Sequence, residues 1–184
     1  LAPFALANRL VTQGEWAEFI ADGGYRDPRW WLSAGWDWLR NAKVAHPLYW
    51  QAQDGGAWQV FGLRGLQPLD THAPASHLCL YEADAYARWF GAQTGLALRL
   101  PTEGEWEHAV AAHGTQHLSD GAFIDGGTLQ ATAPVLQDGL LQAMGTLWQW
   151  TSSAYASYPG FKPWQGAVGE YNGKFMANQY VLRG

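Results

Sequence analysis

Three histidines, His108, His113 and His117, have a spacing that suggests metal chemistry. His113 and His117 stand at positions i and i+4, a separation that places two imidazoles on one face of a helix and suits zinc. Gly114 lies between them and a Ser-Asp-Gly sequence follows, so we do not expect a helix here. Without a helix the spacing has no geometric meaning, and we predict no metal site in this chain.

The other reactive side chains give little support for nucleophilic catalysis. The single cysteine, Cys79, stands between two leucines, where a buried and unreactive thiol is expected. There is no Gly-x-Ser-x-Gly motif, and the glycine pairs lack the strand–turn–helix context of a phosphate-binding loop. The carboxylates Glu103, Glu105 and Glu107 fall at a predicted helix start, where they stabilise the helix dipole. We therefore expect no nucleophilic triad.

Two aromatic segments, residues 152–164 and 169–175, are the best candidates for a functional surface. Glycine or proline interrupts both segments, and neither has a regular spacing of hydrophobic residues. Loops of this length in a compact domain are usually functional or disordered, and their aromatic content favours order. Two interpretations stay open: a binding surface, or loops that their aromatic side chains pack onto the core.

A repeated motif indicates how helices begin in this chain. RLVTQGEW starts at Arg9 and RLPTEGEW starts at Arg99. In each copy a Thr and the Glu three residues later form a capping box, which satisfies free N–H groups at a helix start. The two halves do not match beyond this stretch. We interpret the motif as a helix-start device used twice rather than a tandem repeat.

Hydrophobic periodicity and the placement of Gly and Pro predict the remaining elements. Helices are expected from Thr12 to Gly23, after Asp27-Pro28, from Ser33, and from Thr102. A further helix is expected over 82–90. His77 is expected to be a packed strand residue. The predicted strands are 4–8, 48–50, 58–61, 76–80, 96–100, 147–151 and 179–182, and residues 114–140 are expected to form loops with short strands.

Composition narrows the class of protein. The length of 184 residues suits one domain, and the 48% hydrophobic content is that of a globular protein. The charged fraction of 15% is low for an independent soluble domain. The net charge is −5 and no two basic residues are adjacent, which argues against nucleic acid and anionic membranes as partners. No apolar run approaches the roughly 18 residues that span a bilayer. The single cysteine is compatible with a cytoplasmic location.

Several segments resemble the formylglycine-generating-enzyme-like, or sulfatase-modifying-factor, family. RLPTEGEWE at 99–107 resembles the family signature RLPTEAEWE, GTLWQW at 145–150 resembles GNVWEW, and LRG at 182–184 resembles the start of LRGGS. The resemblance implies one α+β domain over residues 1–184 with little regular secondary structure and a C-type-lectin-like fold. It also implies that the family domain extends beyond both ends of this chain.

Within that family the chain is most similar to the C-terminal domain of the ergothioneine-biosynthesis sulfoxide synthases. The similar segments are DGGY at 22–25, WLSAGW at 31–36, HPLYW at 46–50, YEADA at 81–85, YPGF at 158–161 and GEYNGKFM at 169–176. The resemblance implies a non-haem iron enzyme that uses O2 to join a cysteine-type thiol to trimethylhistidine (hercynine). Its Fe(2+) would be held by histidines of a separate N-terminal helical domain, the expected partner of this one. By itself this chain is expected to bind no iron and to be inactive.

The resemblance also suggests roles for the two aromatic segments. Aromatic rings between Tyr155 and Trp164 would stack on the trimethylammonium group of hercynine. Asn172 or Lys174 would pair with a substrate carboxylate. The expected substrate-binding residues are therefore Trp164, Tyr171, Asn172 and Lys174. The candidates for the tyrosine proton donor of some members are Tyr155, Tyr158 and Tyr171.

Two departures from the family pattern limit what carries over. In formylglycine-generating enzymes the Asn and Glu of GNVWEW help to bind calcium, and here those positions are Thr146 and Gln149, which argues against calcium. Formylglycine generation needs a pair of reactive cysteines, and this chain has one. The alternatives are a non-catalytic lectin-like binding module and, less favoured, a formylglycine-generating enzyme whose second cysteine follows Gly184.

Overall fold

The computed structural model describes residues 1–113, 121–135, 138–172, 175 and 177–184. Helices and strands in this part are short and are joined by long irregular connections. The helices are α1 (Gln13–Ala21), α2 (Ser33–Ala42), α3 (Leu80–Thr94), α4 (Glu103–His113) and α5 (Ala167–Asn172). The strands are β1 (Trp50–Ala52), β2 (Trp58–Gly62), β3 (Gly65–Pro68), β4 (Gln149–Ala154) and β5 (Tyr180–Arg183). This mixture of helices and small antiparallel sheets confirms the α+β class.

Two antiparallel sheets are formed by these strands. One is three-stranded in the order β1-β2-β3, and the other pairs β4 with β5. The predicted hairpin between β1 and β2 is confirmed, with Trp50 opposite Val60. The third strand was not predicted, because it is short and ends at a proline, which is tolerated only at a sheet edge. The predicted strands near 147–151 and 179–182 are confirmed as β4 and β5.

Capping boxes begin α1 and α4 as the sequence predicted. At α1, the Thr12 hydroxyl accepts from the Glu15 N–H at 3.2 Å, and the Glu15 carboxylate accepts from the Thr12 N–H at 2.8 Å. The 3-10 turn Pro28–Trp30 follows its Asp27 cap, also as predicted. For α2 the prediction was wrong by one position, because Ser33 is already helical and Leu32 is the N-cap.

Three of the predicted strands do not form. Residues 4–8, 76–80 and 96–100 contain short apolar runs, which periodicity alone cannot distinguish from buried loops. In 76–80 the reason is local: His77 has a left-handed backbone with φ 61°, and Cys79 is the N-cap of α3. The short strands expected within 114–140 are absent from the described part of that range. Phe4, Leu6, Leu78 and Leu80 are half-buried without a strand partner, whereas Leu96 and Leu98 are exposed.

An aromatic core joins α1 and α3 and fixes the loop between α1 and α2. The ring of Trp16 stacks on Tyr86 with centroids 4.9 Å apart. The indole N–H of Trp16 donates to the Tyr25 hydroxyl at 3.2 Å, and that hydroxyl donates to buried Glu82 at 2.7 Å. The remaining buried members are Phe19, Trp31, Leu39, Trp50, Ala85 and Trp89. The polar groups of Trp16, Tyr25 and Glu82 therefore satisfy one another inside this core, which reduces the cost of burying them.

Tryptophan N–H groups hold irregular segments in place. Trp31 donates to the backbone carbonyl of Gly24 at 2.8 Å. A Cβ at Gly24 would overlap the ring of Phe19, so only glycine fits this close approach. Among the described residues, none of the helices combines the length and apolar character that crossing a bilayer requires.

Candidate functional site

Strand β4 is tied to the start of α4 by its two serines. The Ser153 hydroxyl accepts a hydrogen bond from the Glu103 N–H at 2.9 Å, and the Ser152 N–H donates to the carbonyl of Pro101 at 2.8 Å. Buried Thr151 donates to the carbonyl of Val181 on β5 at 2.8 Å. The register of β4 against β5 shifts after Trp150, which is typical of a bulge and aims these side chains in different directions. The Thr-Ser-Ser sequence thus joins α4, β4 and β5.

The loop after β4 is fastened to α4 by a cluster of four side chains, which we call the Arg183 cluster. Arg183 pairs with Glu103 at 2.9 Å and with Glu107, which stand one turn apart on α4. The Tyr158 hydroxyl donates to Glu107 at 2.9 Å and accepts from the Arg183 guanidinium at 2.9 Å. The guanidinium also lies over the ring of Trp106, 5.8 Å from its centroid. This network holds the start of the aromatic loop against the helix.

The hydroxyl of Tyr158 stays protonated in this environment. Desolvation raises its pKa, and hydrogen bonding and proximity to Glu107 and Glu103 raise it further. The sequence interpretation of these two glutamates was incomplete, because it assigned them only to the helix dipole. Their i, i+4 spacing was the available signal that both could face one cation.

The other aromatic side chains of the two segments, on both sides of Tyr158, are exposed rather than packed on the core. Tyr155 and Phe161 both contact Phe175, with ring centroids 5.1 and 5.7 Å apart. Trp164 is 77% exposed and Tyr171, on α5, is 83% exposed. We call these five residues the aromatic surface. Exposed aromatic groups of this extent usually mark an interaction or ligand site, so the first of the two interpretations of these loops is favoured.

A groove of about 870 Å³ lies beside the aromatic surface and shares Tyr155 with it. Its walls are the first residues of α2 and α3, the bulged part of β4, and β5. Trp150 is fixed in this wall by donation of its indole N–H to the carbonyl of Leu78 at 2.9 Å. The groove is lined by Leu32, Ser33, Ala34, Cys79, Leu80, Tyr81, Trp150, Tyr155, Asn178, Gln179, Tyr180, Val181 and Leu182.

Cys79 lies in this groove as an unreactive thiol. Burial raises its pKa to about 11, and the neighbouring Glu82 carboxylate adds to the shift. At neutral pH almost none of it is thiolate, the form that acts as nucleophile. The expectation of an inert thiol is therefore supported, although Cys79 begins a helix rather than lying in a strand.

The structure distributes the predicted site residues over three places. Tyr155 lies in the groove and the aromatic surface, while Tyr158 belongs to the Arg183 cluster. Trp164 and Tyr171 are not among the described residues that line the groove. Asn172 ends α5, and Lys174 lies outside the described residues. The Arg183 cluster and the β5 wall of the groove were not found from the sequence.

Metal ligands do not converge in the described part of the chain. No group of three or more His, Cys, Asp or Glu side chains there could hold a metal ion. His108 and His113 line a second cavity of about 870 Å³ together with the N-terminal segment. His117 lies outside the described residues.

Comparisons with known proteins place this chain in a family. The family model for the sulfatase-modifying factor enzyme 1-like domain matches residues 1–184. A hercynine oxygenase of Mycobacterium tuberculosis is 35% identical over 201 residues, which cover 98% of this chain and 44% of that protein. A hercynine oxygenase of Mycolicibacterium smegmatis is 35% identical over 178 residues, covering 87% of this chain and 39% of that protein.

A formylglycine-generating enzyme of Mycobacterium tuberculosis is more distant, with 29% identity over 219 residues, 85% of this chain and 64% of that protein. The chain thus spans less than half the length of both hercynine oxygenases. The family model matches the whole chain, and the two capping boxes and the α+β architecture are consistent with that match. The chain belongs to the sulfatase-modifying factor enzyme 1-like domain family.

Proposed function

We propose that this chain is the substrate-binding domain of an iron(II)-dependent sulfoxide synthase of ergothioneine biosynthesis. The enzyme would use O2 to join a cysteine-type thiol to hercynine. The observation that carries the proposal is the aromatic surface beside the groove, with Tyr155 in both. The identity to two proteins named hercynine oxygenase supports the choice of substrate.

In this proposal the two domains of the enzyme have different roles. An iron(II) ion held by a separate N-terminal helical domain would supply the chemistry of O2. This domain would bind the organic substrates and exclude water from them. We further propose a C-type-lectin-like topology, a cytoplasmic location, and no nucleic acid or membrane partner.

The aromatic surface suits the cationic end of hercynine. A quaternary ammonium group over an aromatic face gains roughly 0.5–2 kcal/mol, depending on how fully water is excluded. Trp164 and Tyr171 expose their rings and have few competing contacts in the described structure. A neighbouring domain that covers them would remove water and strengthen the interaction. We keep Asn172 and Lys174 as the proposed partners of a substrate carboxylate.

Among the three candidate tyrosines, we infer that Tyr155 is best placed to donate a proton. It lines the groove, and its backbone N–H is fixed by the carbonyl of Gln179 at 2.8 Å. The hydroxyl of Tyr158 is instead engaged by Glu107 and Arg183, so Tyr158 positions the loop. Tyr171 lies on α5 and contributes an aromatic face.

Turnover by the full-length protein tests this function. The iron-loaded protein is incubated with hercynine, O2 and either cysteine or γ-glutamylcysteine, and the sulfoxide product is measured by mass spectrometry. We expect product with one of the two thiols and a loss of at least about 100-fold in Tyr155→Phe, the usual range for a lost acid–base group. Absence of product with both thiols, from protein that binds iron, would refute the proposal.

The non-catalytic alternative predicts a different pattern. A binding module would retain hercynine without producing sulfoxide in any combination of thiol and O2. Tyr155→Phe, which keeps the aromatic ring, would then leave hercynine binding unchanged. The turnover assay and a binding assay on the same sample therefore separate the two functions.

A further inference from the structure

The side-chain amide of Gln149 has a hydrogen-bond partner on every side. Its carbonyl oxygen accepts from the indole N–H of Trp106 at 2.9 Å. Its NH2 group donates to the backbone carbonyls of Gln142 at 3.1 Å and Ala143 at 2.9 Å. An indole N–H can only donate and a backbone carbonyl can only accept, so these partners fix which end of the amide is nitrogen.

The two carbonyls converge because the chain bends sharply at Gln142. This residue has a left-handed backbone with φ 55°, an unfavourable conformation for a residue with a Cβ. Both Gln142 and Ala143 are buried, so their carbonyl oxygens cannot turn to water. Two buried oxygens aimed at one point need a partner of positive charge or an N–H donor. The NH2 group of Gln149 is that partner.

A calcium ion, which the family resemblance implies near this position, does not fit this arrangement. Calcium takes oxygen ligands, several of them carboxylates, at about 2.3–2.6 Å. Here the group that faces the two carbonyls is an N–H donor, which would repel a cation. The carboxylate that would complete such a site is absent, because position 149 is Gln.

We infer that the amide of Gln149 takes the place of a divalent cation in this domain. The bend at Gln142 is held by two N–H donors instead of a metal, so the stability of the domain does not depend on calcium. Exchange of one atom, nitrogen for oxygen in Gln149→Glu, changes the donor into an anionic acceptor. The new carboxylate faces two carbonyl oxygens and repels them unless a proton or a cation lies between.

The variant Q149E should therefore gain a cation site that the natural protein lacks. The bond to Trp106 survives, because a carboxylate oxygen accepts from the indole N–H as the amide oxygen does. One carboxylate and two carbonyls form a sparse site, so we expect a dissociation constant for calcium of about 10⁻³ M. The control is Q67E, since Gln67 also donates to a backbone carbonyl, that of Arg64 at 3.2 Å, but is exposed.

The experiment uses full-length protein, so that any other calcium sites are common to all variants. Melting temperature is measured by circular dichroism in EDTA and in excess calcium, and calcium binding by equilibrium dialysis. We expect no calcium effect for the natural protein or Q67E. In EDTA, Q149E should melt about 4–8 °C lower than the natural protein and should recover most of the loss in calcium.

Two results would overturn the inference. One is a natural protein whose melting temperature rises in calcium by more than that of Gln149→Met, because any calcium site elsewhere is common to both proteins. The other is a Q149E variant that is as stable as the natural protein in EDTA, or whose melting temperature does not rise in excess calcium. Gln149→Met, which fits the space without a polar group, should lose stability and remain indifferent to calcium. These readouts do not involve turnover, so they stand apart from the proposed function.

Discussion

The two copies of the R-L-x-T-x-G-E-W motif have the same local structure and different surroundings. In both, the Arg guanidinium binds the Glu carboxylate through two bonds, at 2.8 and 2.7 Å. In both, the Thr N–H reaches that carboxylate at 2.8 Å and the Glu N–H reaches the Thr hydroxyl at 3.2 Å. The eight-residue motif therefore specifies the same helix start twice, in two different surroundings.

The tryptophan that follows the Glu is used differently in the two copies. Trp16 enters the aromatic core, stacks on Tyr86 and donates to Tyr25. Trp106 donates to Gln149 and lies beneath the guanidinium of Arg183. The first copy therefore stabilises the core, and the second positions the strands and the loop of the candidate site. The comparison shows that tertiary partners, not the motif, decide what each copy does.

The largest expected effect is the loss of unfolding free energy when either tryptophan is replaced by alanine. Trp16→Ala removes a buried ring and leaves Tyr25 without its donor, so it should cost about 3–5 kcal/mol of unfolding free energy. Trp106→Ala should cost less, because Trp106, although buried, is not a member of the aromatic core. Urea unfolding of the full-length variants measures both. An equal or larger cost for Trp106→Ala would contradict the division into core and site copies.

The next prediction concerns activity and the Arg183 cluster. Tyr158→Phe removes the hydroxyl that joins the aromatic loop to Glu107 and Arg183, so the loop loses its fixed position. We expect KM for hercynine to rise about 10-fold, corresponding to the loss of roughly 1.4 kcal/mol, while kcat changes little. Steady-state kinetics with varied hercynine measure the split. A fall in kcat with unchanged KM would instead identify Tyr158 as the proton donor.

The loss of stability at low pH should also differ between the two copies of the R-L-x-T-x-G-E-W motif. Hydrogen bonds from Arg99 and from the Thr102 N–H lower the pKa of Glu105 from 4.5 to about 2. For Glu15, burial raises the pKa, and its bonds to Arg9 and Thr12 outweigh that effect to give a net lowering. A lowered pKa means that the stabilisation is present above pH 4.5 and is lost as pH falls towards 2.

Glu105→Gln should therefore remove part of the acid-dependent stability. At pH 7 the unfolding free energy of Glu105→Gln should be about 1 kcal/mol lower than that of the natural protein. The cost is this small because the Arg99 side chain is 57% exposed and solvent screens its pair with Glu105. Unfolding free energies at pH 7 and near pH 3 measure it, with Glu15→Gln as the matched variant. A cost that is the same at both pH values would show that the Arg99 pair does not set the pKa of Glu105.

Local patterns predicted the parts of the fold that local chemistry decides. The capping boxes, the Asp27-Pro28 turn and the β1–β2 hairpin were recognisable because their partners lie within a few residues. The strand predicted at 76–80 failed, because nothing in the sequence indicates the left-handed backbone of His77. The Arg183 cluster joins residues 25 and 76 positions apart, a separation that periodicity does not register.

The sequence indicated which segments supply the candidate site. It did not indicate how their side chains are arranged in space. The aromatic content of 152–164 left two interpretations open, a binding surface or loops packed on the core, and Tyr155 does lie in a groove. Three-dimensional contacts alone separate the two tyrosines: Tyr155 lines the groove and contacts Phe175, whereas the Tyr158 hydroxyl binds Glu107 and Arg183. The groove wall from β5 also could not be anticipated, since it depends on the pairing of β4 with β5.

Hercynine affinity of the full-length protein tests the central claim most directly. Trp164→Leu is compared with Trp148→Leu, a tryptophan of similar exposure at 74% that lies outside the aromatic surface. Isothermal titration with hercynine should show a loss of about 5–20-fold for Trp164→Leu and none for Trp148→Leu. Histidine, which lacks the trimethylammonium group, should not distinguish the variants. Equal hercynine affinity in both variants and the natural protein would contradict the claim that this domain binds the cation.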